Sequence, residues 1–87
     1  MHSHFRSFLL GIEIDGIDNQ MKRIREQLRY GRERINRIWL CEHHSYLDFC
    51  DEYQSATNIV IELLERQLEL IRQRRVLTTR LRSCREP

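Results

Sequence analysis

The chain has 87 residues, of which 15 are basic and 13 acidic, for a formal charge of +2. A 40% apolar share with one proline and three glycines excludes collagen-like, linker-like and low-complexity chains. Length and charge leave room for one small, mixed-charge domain, 1–87, and argue against a polybasic tail.

The N-terminal apolar run Phe8-Leu9-Leu10-Gly11-Ile12 stops at Glu13. It is too short for the core of a signal peptide, and nothing approaches the ~20 apolar residues of a membrane span, so no membrane partner is expected. From Leu10 the apolar residues fall into register. Leu10, Ile14, Ile17, Met21, Ile24, Leu28, Gly31, Ile35 and Ile38 step alternately by four and three. That is a heptad seam over ~42 Å of helix, predicting a first helix over about 8–42. Gly31 is the one seam position without a side chain. It marks either a close approach of helices or a weakness of ~1 kcal/mol.

The next segment, Cys41-Glu42-His43-His44-Ser45-Tyr46, holds neither glycine nor proline. Ser45 followed by Asp48 resembles a capping box, and His43 and His44 suit the last turn of a preceding helix. The reading is a tight turn at about 43–46. A continuous straight helix paired with an antiparallel copy is the alternative.

A second helix is predicted over about 47–83, with frayed termini. Its seam is Phe49, Tyr53, Ala56, Val60, Leu63, Gln67, Leu70, Arg74, Leu77, Leu81 and Cys84. Gln67 and Arg74 are polar intrusions of the kind that fix register. Beside this seam runs a second stripe: Ile61, Leu64, Leu68 and Ile71. A helix with two adjacent apolar stripes needs two neighbours.

Charge sets the orientation. Residues 1–18, 19–40, 41–71 and 72–87 carry net charges of −2, +5, −6 and +5. Folding the chain at 43–46 brings opposite signs together, with Asp18 near Arg72, Asp15 near Arg75, Arg25 near Glu65 and Arg29 near Glu62. The expected fold is therefore all-α: a long antiparallel helical hairpin, self-associating into a four-helix bundle or coiled coil. Self-association, or a different helical partner, would cover Ile61, Leu64, Leu68 and Ile71.

Candidate chemistry is sparse. Cys41, His44 and Cys50 are the residues with metal-ligating chemistry near one another, but paired-ligand spacings are missing and no metal or other cofactor is expected. The three cysteines form no even disulfide framework, which points to an intracellular, reducing compartment, cytoplasm or nucleus. There is no phosphate loop and no nucleophile motif, so no enzyme is expected. Ile14-Asp15-Gly16-Ile17-Asp18-Asn19 resembles the first-helix motif of all-helical chorismate mutases over six residues. That family binds a dicarboxylate with flanking arginines. Here Gly11-Ile12-Glu13 precedes the motif and Leu28 stands where a cation is required, so the likeness is set aside as a chance match.

Arginine dominates the cations, fourteen against one lysine. Lys22, Arg25, Arg29 and Arg32 form a line on the first helix, and Arg72, Arg75 and Arg82 form one on the second. Such lines suit the phosphates of duplex RNA or another nucleic acid. The commoner fate of such a run is a solvated face paired with acids. The sequence thus supports a non-enzymatic oligomerisation or protein-interaction module, a homodimer or a small subunit of a larger assembly. A dimeric nucleic-acid-backbone binder is the alternative.

Overall fold

The computed structural model describes residues 2–41 and 45–85. Two helices, α1 (His2–Leu40) and α2 (Tyr46–Arg85), form an antiparallel hairpin 66 × 15 × 13 Å in extent. α1 begins about six residues before the predicted start. Nothing between His2 and Leu10 breaks a helix, and Gly11 and Gly16 sit within it at the cost glycine always carries.

The seam defines the inner face. Leu10, Ile14, Ile17, Ile24, Leu28 and Ile38 of α1 are buried, as are Ala56, Leu70 and Leu77 of α2. Met21, Val60, Leu63, Leu81 and Cys84 pack against this row, each half-buried. Among the described residues the core is one row of side chains between two helices, and it encloses little. Leu70 at 1% exposure and Ala56 at 2% are, among the described residues, the most completely removed from water.

Gly31 is a point of close approach. A Cβ built there would lie 2.7 Å from Val60 Cγ2, nearer than real Cβ contacts come. The same construction at Gly11 and Gly16 meets nothing within 4 Å. The seam therefore lacks a side chain where the second helix presents a β-branched one.

The turn is anchored from its α2 side. Ser45 Oγ accepts a hydrogen bond from the Asp48 backbone N–H at 3.2 Å, and Ser45 O accepts from Phe49 N at 2.9 Å. Ser45 is thus the N-cap, satisfying a donor the first turn leaves open. Asp48 lies in that first turn, where its charge complements the helix dipole. On the α1 side, Cys41 N bonds Ile38 O at 3.4 Å, a tightened last turn. His43 and His44 lie outside the described residues.

Beside the turn, Trp39 meets Phe49 edge-on at 4.9 Å and Tyr53 at 5.7 Å, while Phe49 and Tyr53 stack at 5.8 Å. These pairings hold the two helices together where the apolar seam of α1 ends.

Candidate interaction surface

The hairpin has two long flanks. On one, Arg66 Nη2 donates to Gln20 Oε1 at 3.3 Å. Two open clefts lie along this flank. One is lined by Glu13, Gln20, Gln73, Val76 and Arg80, and the other by Gln27, Tyr30, Arg34, Ile59 and Leu63. Its chemistry is mixed: exposed Tyr30, Ile59 and Val76 alternate with amides and cations, and the cleft walls are largely apolar.

The opposite flank is organised differently. Here Arg74 forms a two-pronged bond with Asp18, Nε to Oδ1 at 2.7 Å and Nη2 to Oδ2 at 3.4 Å. Arg74 occupies a seam position, and its pairing with Asp18 ties α2 to α1 at one register. The carboxylate hydrogen bond, and then its charge, raise the Arg74 guanidinium above its ordinary pKa. A raised value sharpens a preference for the charged form that holds at every accessible pH.

Asp18 was expected to meet Arg72. It meets Arg74 because Arg72 lies on the outer surface of α2, where it contacts Glu69 one turn back at 4.0 Å. Nor do the other expected pairs form: among the described residues, Asp15, Arg25 and Arg29 make no ion pair with Arg75, Glu65 or Glu62. The acids opposite them in register sit on the outward side of α2, and long side chains on diverging faces remain in solvent. Opposite charge blocks thus face each other in register without closing into contacts.

The consequence is a cationic line that, among the described residues, closes no ion pair across the hairpin, with Asp15 and Asp18 preceding it on the same flank and Glu26 and Glu33 one turn away on α1. Lys22, Arg25, Arg29 and Arg32 are all exposed along α1. Across the groove, on the same flank of α2, lie Ile61 (46% exposed), Leu64 (39%), Leu68 (54%) and the half-buried Ile71. Further along α2, Arg75 and Arg82 edge an open cleft with Ile71, Arg74, Thr78 and Thr79. Thr78 and Thr79 turn their hydroxyls back to the carbonyls of Arg74 and Arg75, at 2.8 and 2.9 Å, and offer little to a partner. One unpaired polar atom lies near the apolar stripe: Thr57 Oγ1 is buried without a hydrogen-bond partner in the structure.

Several exposed apolar side chains lie outside both predicted stripes: Tyr30, Ile59 and Val76 on the first flank, Leu40, Tyr46 and Leu47 at the facing helix ends, and two further groups. Phe5, Phe8, Leu9 and Ile12 are 43–65% exposed on the outer side of α1 near its start. Their spacing of three, four and seven carries that signal in the sequence. Trp39, 61% exposed despite its ring contacts, is the other.

Of the residues with metal chemistry, Cys41 is exposed and Cys50 half-buried, both as free thiols, and His44 lies outside the described residues. Among the described residues, no three histidine, cysteine or acidic side chains gather as a metal site would need. Nor, among them, is any helix long and apolar enough to cross a membrane.

Comparison with known proteins returns no matching family model, no matching curated protein and no matching solved structure.

Proposed function

We propose that this chain is a non-enzymatic, self-associating interaction module, whose working surface is the flank carrying Ile61, Leu64, Leu68 and Ile71. The observation that carries the reading is their exposure on a hairpin with a single-row core. Three large aliphatic side chains at 39–54% exposure in one line are a patch that soluble surfaces ordinarily cover. Burying each fully is worth ~1.5–3 kcal/mol, a large sum beside the marginal core of an 87-residue hairpin. A four-helix bundle of two hairpins covers the stripe with the same packing that already joins α1 to α2. As a small subunit of a larger helical assembly, the chain would use the same surface.

The test is the mass of the Leu68→Asp variant against the unmodified chain by light scattering. The unmodified chain runs as a dimer or larger, and the variant as a monomer, because a carboxylate would have to enter the contact. A folded monomer in both cases would refute the reading.

A second reading is supported by the unpaired state of Lys22, Arg25, Arg29 and Arg32. Exposed cations that close no ion pair among the described residues are available to phosphates, and Arg75 and Arg82 extend the positive surface along α2, while Arg72 lies on its outer side against Glu69. On this reading duplex RNA binds with an affinity that falls steeply with salt, in proportion to the ~4–6 phosphates engaged. Replacing Arg25, Arg29 and Arg32 with Gln abolishes that binding and leaves helicity intact. Salt-insensitive or absent binding by the unmodified chain would remove this second function.

A further inference from the structure

We infer that the cation-bearing flank is where two copies of the hairpin pack antiparallel. The two-fold axis would cross α1 between Lys22 and Arg25, and α2 between Leu64 and Leu68. This rests on the self-association proposed above and specifies its geometry.

A two-fold contact is isologous: if residue i meets j, then j meets i. A helix lying antiparallel on its own copy must therefore match itself when read backwards. The flank line of α2 does. About its centre, Leu64 meets Leu68 of the second copy and Ile61 meets Ile71, apolar with apolar. Further out, Thr57 meets Arg75 and Gln54 meets Thr78, polar with polar.

The flank line of α1 also matches itself reversed. Asp18 meets Arg29 of the second copy, Asp15 meets Arg32, Gly11 meets Asn36, and Phe8 meets Trp39. Phe8 and Trp39 are 64% and 61% exposed in the single hairpin. One like-charge pair remains, Lys22 with Arg25, on the axis itself.

The two centres were located separately, one on each helix, yet they fall at the same level of the hairpin. Within the chain, facing residues have numbers that total from 86 (Gln20 and Arg66) to 92 (Asp18 and Arg74), with Gly31 and Val60 between. The midpoint between Lys22 and Arg25 and that between Leu64 and Leu68 total about 90. A single axis therefore serves both helices. Setting the copies in the same direction, α1 over α2, instead stacks Lys22, Arg25 and Arg29 on Leu68, Leu64 and Ile61, burying cations against aliphatic side chains.

The experiment combines a charge exchange with a distance. Asp15 and Arg32 are 17 residues apart on one helix, about 25 Å, and cannot meet within a chain. Asp15→Arg alone and Arg32→Asp alone each weaken the dimer roughly five- to thirtyfold, since two pairs per dimer change sign. The double variant Asp15→Arg/Arg32→Asp returns to near the original dissociation constant. Spin labels on the exposed Cys41, in a Cys50→Ser/Cys84→Ser chain, lie about 50 Å apart in the antiparallel dimer, because the two turns point to opposite ends. A dimer with labels within about 25 Å, or a double variant that adds the two losses, overturns the antiparallel contact and leaves self-association standing. A folded monomer at micromolar concentration overturns both.

Discussion

The two flanks of the hairpin are built from the same helices and at the same register, yet their residues are ordered differently. The flank with Gln20 and Arg66 interleaves amides, cations and the exposed apolar side chains Tyr30, Ile59 and Val76, so no stretch of it is of one kind. The other gathers its chemistry into runs, with Asp15 and Asp18 followed by Lys22, Arg25, Arg29 and Arg32 on α1 and the four aliphatics Ile61, Leu64, Leu68 and Ile71 on α2. A surface whose residues alternate is indifferent to what lies against it. A surface sorted into lines selects a partner with the complementary sorting.

The comparison predicts a graded set of outcomes. The largest effect belongs to the apolar line. Leu64→Asp or Leu68→Asp should weaken the dimer at least ~100-fold, while Gln73→Asp on the opposite flank should leave it within ~3-fold; sedimentation of the three variants measures the asymmetry. Equal losses on both flanks would mean that the sorting of residues does not select the contact.

Within the seam, Gly31→Ala sets a gain of ~1 kcal/mol in helix propensity against an overpacking cost of ~1–3 kcal/mol at Val60, for a net loss of up to ~2 kcal/mol. Gly16→Ala, with open space around it, should instead stabilise by ~0.5–1 kcal/mol. Urea titrations of the two alanine variants should move in opposite directions. Both moving upward would show that Val60 yields freely.

Ser45→Ala removes the N-cap of α2 and should cost ~1 kcal/mol by the same measurement, with Ser45→Asp retaining most of it. The smallest effect sharpens the antiparallel contact. Lys22→Glu replaces the one like-charge pair on the axis with an opposite pair and should tighten the dimer by a few fold at low salt, an effect lost at high salt.

The seam, the turn and the register were legible in the sequence for a common reason: each repeats or is local. Every residue of both predicted seams is buried or half-buried, and Ser45 caps as its spacing to Asp48 implied. The facing register, expected near a total of 90, falls at 86–92. What failed was the assignment of individual charge pairs. Block charges give the sign of a long-range preference, but a contact needs two side chains on converging faces. Arg74 has that convergence with Asp18, and Arg72 does not. Likewise, among the described residues, neither Arg25 nor Arg29 closes an ion pair with Glu65 or Glu62 across the hairpin. The stripe Ile61, Leu64, Leu68 and Ile71 was visible as a period. Its placement across from that cationic line required knowing which flank of each helix faces the same way.

The central claim is that the sorted flank is covered by a second copy. Sedimentation equilibrium of the unmodified chain from about 1 to 100 µM, followed together with the fluorescence of its single tryptophan, tests it most directly. The account predicts a reversible monomer–dimer equilibrium, with Trp39 emission shifting to the red as the dimer dilutes and Phe8 of the second copy leaves its ring. A folded species of 10.7 kDa at every concentration, with constant Trp39 emission, would contradict it.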